Sequence, residues 1–359
     1  IGLVMLGLGE AQFQGRVLPG SEALRQAGLQ PATLGPKDGL GLINANAVTV
    51  GHAALVLSDA RRLLLTAAAT AALACEGYAA NPSTFDARTA ALRKAPGQES
   101  AAALFRALLE GSSLAETDAP RVIQDALSFR CLPQIAGAAL HALADAIAAT
   151  ETELNAAADN PAVLVDDDVI LSTGNFHLAA LALAFDSLAL ALGQVAHAGM
   201  ARIVKLMSAA HSSLPRYLSP IGGASAGLVP LQKAAAALLA EIRLEAAPAC
   251  LDAIAISDFV EDHAPHAPLA VRKLEEQLSL LARLIAIEGL AAAQAVDLRR
   301  PKALGAGSRL VHAFVREMVP VLEADRETGP EAERLAQRLL AGDLSERLES
   351  LVARSGNLL

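Results

Sequence analysis

Between residues 38 and 80 no proline interrupts the chain, and Ala and Leu dominate; the first breaker is Asn81-Pro82. Strands rarely exceed about ten residues, so apolar spacing sustained this far predicts one very long helix. A helix apolar on most of its faces has to be covered by other helices, which restricts the chain to a large helical bundle. The most apolar part, residues 63–80, contains Glu76 and follows Arg61 and Arg62, and the comparable run 178–200 carries Asp186 and His197. Trp is absent and aromatic residues make up only 3%, so there is no interfacial aromatic belt. These runs are assigned to a protein interior, and no membrane is expected as a partner.

Helical spacing recurs over residues 98–110, 133–157, 177–208, 225–245 and 266–296, and residue 306 begins a tail of three shorter helices. Asp159-Asn160-Pro161 stops the second of these helices. After it, β-branched residues flank an acidic turn in 162–172 and predict a small hairpin. No a/d heptad with flanking charge pairs is sustained, which excludes a two-stranded coiled coil. No repeat or linker divides residues 1–359, which read as one unit, a central helical bundle with a C-terminal helical region. Apolar residues make up 53% of the chain, and closure by subunit association accounts for that share. The net charge is -9 and no basic cluster occurs, which argues against a nucleic-acid partner. Cys75, Cys131 and Cys250 are widely spaced and form no CxxC pair, so reduced thiols in the cytoplasm are expected. The chain opens at Ile1 within an apolar stretch without a signal-peptide pattern. It is read as the later part of a longer protein.

Four polar clusters stand out against the apolar background. In Gly41-Leu-Ile-Asn44-Ala-Asn46 two carboxamides sit in an apolar helix, either as a structural link between helices or as site groups. Gln124-Asp125-Ala-Leu-Ser-Phe-Arg130-Cys-Leu-Pro133-Gln134 sets an Arg and two carboxamides beside a helix start. That is either a bidentate carboxylate clamp or a surface Arg with a capping Asp. Ser172-Thr-Gly174-Asn175-Phe176-His177 is a glycine turn ahead of a helix, read as turn chemistry or as part of a site. Ser257-Asp258-Phe-Val-Glu261-Asp262-His263-Ala-Pro265-His266 gathers carboxylates and imidazoles, but it lacks the HExxH spacing, so no metal is expected. No GxSxG occurs. Gly222-Gly223-Ala-Ser-Ala-Gly227 lacks the Lys-Ser/Thr ending of a phosphate loop and is expected to be an ordinary loop.

Taken in order, these clusters resemble the histidine/aromatic amino-acid ammonia-lyase family. Pro36-Lys-Asp-Gly-Leu-Gly-Leu-Ile-Asn44 is similar to its KEGLALLNG segment, and Gln124 to Arg130 resembles QDxYSxR. Leu154-Asn155-Ala-Ala-Ala-Asp-Asn-Pro161 resembles NxxxDNP, Gly174-Asn-Phe-His177 the GNFH signature, and Glu261-Asp-His263 the EDH of the histidine-specific branch. The resemblance implies an all-α, long-helix bundle of the ammonia-lyase/fumarase-like type with a minor β-hairpin. It also implies a homotetramer whose active sites draw on several subunits. The expected activity is elimination of ammonia from histidine, giving urocanate. The methylidene-imidazolone (MIO) group, formed from an Ala-Ser-Gly, and the catalytic base would lie upstream of Ile1.

Carried over residue by residue, Asn44 and Gln124 match carboxamides that hydrogen-bond the electrophile or substrate, and Arg130 matches the partner of the substrate carboxylate. Phe176 matches an aromatic lining residue, and Glu261 the acid near the imidazole. That identity at 261 suits a ring with N–H donors, since a carboxylate would be left unpaired against a phenyl ring. The helix that begins Val229-Pro-Leu-Gln-Lys233 lines the ring pocket in the family, which implies Val229 and Lys233 at the substrate. Two positions depart from the pattern. Leu127 stands where ordinary lyases have a Tyr beside the electrophile, and Lys233 stands where an apolar residue is expected. Lys233 faces either the pocket, as an anion or thiolate partner, or solvent. The departures point to the family's MIO-free relative, ergothionase, which releases trimethylamine from ergothioneine. A 2,3-aminomutase is a minor variant, and a non-catalytic structural paralogue is the alternative from another class.

Overall fold

The computed structural model describes residues 1–116, 119–251 and 254–354. Its contacts divide the chain into two compact units, residues 1–51 with 152–178, and residues 52–151 with 179 onward, where the sequence reads as one.

The larger unit is helical and is organised around Ala267–Arg299. Pro268 occupies the first turn, where its missing N–H is harmless, and left-handed His266 and Arg300 bracket the helix. Leu281, Ala282, Leu284 to Ile287 and Leu290 to Val296 are all buried, so the helix is apolar almost all round and must be enclosed. It packs against Ala179–Leu206, Val229–Glu245 and Gly329–Leu340. Ala47–Tyr78 comes against it at Gly77, where an added Cβ would lie 2.9 Å from the Cβ of Ala295. Among the described residues four helical stretches have the length and hydropathy of a membrane span. In Ala267–Arg299, 83% of that stretch is buried within the protein.

Several polar side chains inside this bundle are matched to backbone groups or to each other. Gln277 donates to the carbonyls of Ala189 (2.9 Å) and Ile242 (3.3 Å), linking three helices. Arg202 and Glu288, 3% and 2% exposed, form a two-pronged ion pair at 2.6 and 3.1 Å. A third arm of Arg202, Nη1, donates to the carbonyl of Ser128 at 3.1 Å.

The smaller unit corrects the expectation of one unbroken helix over 38–80. Asp38–Asn44 ends at Ala45, which is extended (φ -63, ψ 130), and the helix restarts as Ala47–Tyr78. Asn side chains compete with the backbone for hydrogen bonds, and Asn46 spends its Nδ2 on the carbonyl of Phe176. The expected hairpin is present as Ala162–Leu164 paired with Val169–Leu171. A second, unexpected hairpin pairs Glu10–Phe13 with Arg16–Pro19 around Gln14 and Gly15, both at positive φ. A two-residue turn with both centres left-handed is the geometry that favours a Gly there.

Helix starts also shift. The expected 225–245 helix begins at Val229, because Asp325 captures the preceding loop: it accepts from the Ser225 hydroxyl and from the amides of Ala226 (2.8 Å) and Gly227 (3.0 Å). Gly222–Gly227 is thus a loop, as its composition predicts. The tail forms Ala306–Arg316, Gly329–Leu340 and Asp343–Arg354.

Glu288→Ala strands the Arg202 guanidinium in the core and is expected to lower unfolding free energy by about 3–5 kcal/mol. Replacing both partners, Arg202→Met with Glu288→Leu, should recover most of that loss. Urea denaturation of the two variants checks the difference.

Candidate active site

Leu127–Arg130 is a single helical turn, too short to hold itself together in water. Its surroundings fix it on three sides. Arg202 takes the Ser128 carbonyl. Phe129, 1% exposed, stacks on Tyr78 with ring centroids 4.2 Å apart, and the Thr84 hydroxyl donates to the Arg130 carbonyl. With backbone and core side chain secured, the turn presents two side chains outward: Leu127, 60% exposed, and the guanidinium of Arg130.

Arg130 lines a hollow of about 380 Å³ with Asn81, Thr84, Asp125 and Gln134. Its Nε is buried without a hydrogen-bond partner, as are Asp125 Oδ1 and Gln134 Oε1. Among the described residues Arg130 pairs with no carboxylate, although Asp125 shares its hollow. The other oxygen of Asp125 accepts from the Asn81 amide at 2.6 Å, and Asn81 Nδ2 donates to the Ile123 carbonyl at 2.8 Å. This lattice fixes the strand of chain that leads into the turn. A cation without an acid partner, beside acceptors with spare capacity, can take a carboxylate-bearing ligand that also carries N–H donors.

In the smaller unit Asn44 ends one helix and Asn46 precedes the next. Both line a hollow of about 400 Å³ with Gly41, Glu153, Leu154 and Asp159. No hydrogen bond ties down the Asn44 carboxamide among the described residues, and Glu153 Oε2 is buried without a partner. Asn46 Nδ2 donates to the Phe176 carbonyl at 3.1 Å, so the helix break and the Gly174–His177 turn are linked. Lys37 Nζ reaches both Asp159 Oδ2 (2.6 Å) and the Pro161 carbonyl (2.5 Å). The Lys37 ammonium holds the Asp159 carboxyl below its ordinary value, with the Asn160 amide assisting.

The remaining sequence candidates stand more openly. Gln124 is exposed one residue before buried Asp125. Val229 is half-buried in the first turn of its helix, and Lys233 lies exposed one turn on. Glu261 closes an exposed loop through a bridge to Ile256 and accepts from the Ser257 hydroxyl at 3.1 Å; it does not line the Arg130 hollow. Among the described residues no three His, Cys, Asp or Glu side chains converge as metal ligands. Glu153 falls in no polar cluster of the sequence, and Asp125, although it lies in the Gln124–Gln134 cluster, gives no local sign of its tie to Asn81, 44 residues earlier. Asp159 was visible only as turn chemistry.

The sequence profile of the family described as aromatic amino acid lyase matches residues 1–317. A histidine ammonia-lyase of Symbiobacterium thermophilum is 39% identical over 349 residues, 97% of this chain and 69% of that protein. Another from Aromatoleum aromaticum is 40% identical, covering 94% and 65%. Thus the chain spans about two-thirds of these relatives. Among solved structures, ergothionase from Treponema denticola, in complex with desmethyl-ergothioneine sulfonic acid, superposes with a TM-score of 0.92 at 31% identity. That match covers 96% of this chain and 69% of that one. Histidine ammonia-lyase from Trypanosoma cruzi gives 0.89 at 30%, covering 99% and 69%.

Because the Asp159 pKa is depressed in the folded state, its pairing with Lys37 contributes fully above the unfolded value near 3.9 and fades as pH falls through the lower folded value. Lys37→Met should raise the Asp159 pKa toward the ordinary carboxylate value, read from side-chain chemical shifts in an NMR titration. An unchanged pKa would show that the contact does not persist in solution.

Proposed function

The chain belongs to the aromatic amino acid lyase family, and from that membership we propose that it is the larger part of a carbon–nitrogen lyase that eliminates ammonia from histidine or a closely related imidazole amino acid. The observation that carries the reading is Arg130: a guanidinium on a braced turn, opening on a hollow and lacking a carboxylate partner among the described residues. Its planar fork suits a substrate carboxylate.

In the proposed reaction a base removes a β-proton, the C–H electrons become the new double bond, and the Cα–N bond breaks with its pair leaving on the amine. Arg130 holds the carboxylate so that the breaking bonds stay aligned. Glu261 accepts from a ring N–H, with Val229, Phe176 and Lys233 beside the ring, and Asn44 and Gln124 supply carboxamide hydrogen bonds. The base is assigned to the part of the protein upstream of Ile1. An MIO group, where one forms, would supply an electrophile to activate the amine. The untethered Asn44 carboxamide fits a role as its hydrogen-bond partner, whereas Leu127 offers no hydroxyl beside it.

That side chain favours a second reading within the same reaction class, MIO-independent elimination of trimethylamine from ergothioneine to give thiourocanate. A trimethylammonium group leaves without prior activation, and the similarity to ergothionase supports this variant. We assign the active enzyme to a homotetramer with shared sites. Ile254, Ile256, Phe259 and Val260 are exposed around Glu261, and Leu183, Leu190 and Val204 along Ala179–Leu206, a distribution that suits burial against further copies. Three free cysteines fit a reducing, cytoplasmic setting.

The test is an assay of the full-length protein with L-histidine and with ergothioneine, following urocanate and ammonia or thiourocanate and trimethylamine. Arg130→Ala should reduce kcat/KM by about 2–5 kcal/mol, at least roughly thirtyfold, the magnitude for removing one partner of a charged pair. Conversion of neither substrate by the folded wild type would favour a non-catalytic paralogue.

A further inference from the structure

Arg202 and Glu288 lie on the two helices that form the heart of the larger unit, Ala179–Leu206 and Ala267–Arg299. Two of the Arg202 nitrogens are used on Glu288, at 2.6 and 3.1 Å. The remaining one reaches the Ser128 carbonyl at 3.1 Å. A plain ion pair needs no third contact. This one extends a charge-assisted hydrogen bond from the most buried part of the bundle to the four-residue turn that carries Arg130. The helix-terminal carbonyls of such a turn have few intrahelical donors, so the guanidinium supplies one where water is excluded.

Gly199 supports the arrangement. A Cβ at this position would sit 2.8 Å from Glu288 Oε2 and 3.1 Å from a methyl of Leu284. The missing side chain leaves the space in which the Glu288 carboxylate lies flat against Arg202. Nothing in the arrangement touches the hollow beside Arg130, whose lining contains neither Arg202 nor Glu288.

We propose that Arg202, oriented by Glu288 and by the space at Gly199, is a positioning residue: it sets the register of the Leu127–Arg130 turn and through it aims the Arg130 guanidinium at the substrate carboxylate. The proposal rests on the lyase reading for its kinetic consequence, but its structural half stands apart. Arg202→Lys keeps the charge opposite Glu288 and replaces a three-way fork with a single ammonium, which cannot serve both oxygens and the Ser128 carbonyl in the same geometry. Gly199→Ala keeps every charge and displaces the Glu288 carboxylate instead.

The first measurement is amide hydrogen exchange of the folded full-length protein. Arg130 and Cys131 donate to the carbonyls of Ala126 and Leu127 at 3.0 and 2.8 Å, so their amides report on the turn. Both variants should exchange these amides faster by at least about tenfold more than any change in the core of Ala267–Arg299, which reports the loss of global stability. Equal protection in wild type and variants overturns the proposal whether or not the protein is a lyase. The second measurement compares kcat/KM for the imidazole amino acid that the wild type converts and for its carboxamide, which lacks the charge Arg130 would grip. Arg202→Lys should lower the preference for the acid about tenfold, leave the amide within about threefold, and add nothing in an Arg130→Ala background. An equal loss on acid and amide, or losses that multiply with Arg130→Ala, would show a general structural role and sink the idea. A wild type that converts neither substrate refutes the lyase reading, and the exchange result then decides the positioning role by itself.

Discussion

A helix apolar on nearly every face has to be surrounded, and in this protein Ala267–Arg299 is that helix. Its alanines and glycine let neighbours approach closely, as at Gly77 against Ala295. Close approach leaves little room for water, so a polar group in the interior gains by finding a partner in the protein itself. Gln277 satisfies backbone carbonyls of two adjoining helices, Gln294 serves the carbonyls of Leu218 and Leu322, and Arg202 and Glu288 satisfy each other. These contacts fix the rotation of the helices, which small apolar side chains alone would leave poorly specified.

The candidate site inherits its rigidity from that interior. Arg130 belongs to a turn with almost no intrinsic stability, yet its carbonyls and its aromatic neighbour are held by Arg202, Thr84 and Tyr78. In the proposed role of Arg130, a cation held in this way keeps its direction without an acid partner to restrain it. An acid partner would compete with the substrate carboxylate, so bracing through the backbone is the arrangement that leaves the charge available. The same logic applies to Asn44: a break in the helix, stabilised by the Asn46 contact to Phe176, leaves a carboxamide untethered beside the hollow.

Leu127 and Lys233 depart from the pattern of the ordinary lyases, and both side chains are exposed in the single chain. Glu261 rides on a loop whose apolar residues also face outward. In the proposed function, the residues assigned to the ring and the amine are exposed side chains, whereas Arg130, assigned to the carboxylate, is braced from within the chain.

Much of the architecture follows from local pattern. Unbroken apolar spacing determines that the chain is helical, Asp159-Asn160-Pro161 ends a helix, β-branched residues around an acidic turn make the 162–172 hairpin, and the order of polar motifs identifies the family. What the pattern misses are partnerships between distant residues. The helix over 38–80 breaks because Asn46 finds Phe176, and Val229 rather than Ser225 begins its helix because Asp325 holds the loop before it. Arg130 could be nominated from its motif, but its lack of an acid partner among the described residues and the backbone braces behind it depend on Thr84 and Arg202, which no local spacing connects to it. Periodicity and turn chemistry act between near neighbours and are written in the sequence; the pairing of buried polar groups depends on which helices meet and at what rotation, and only the packed tertiary structure decides that.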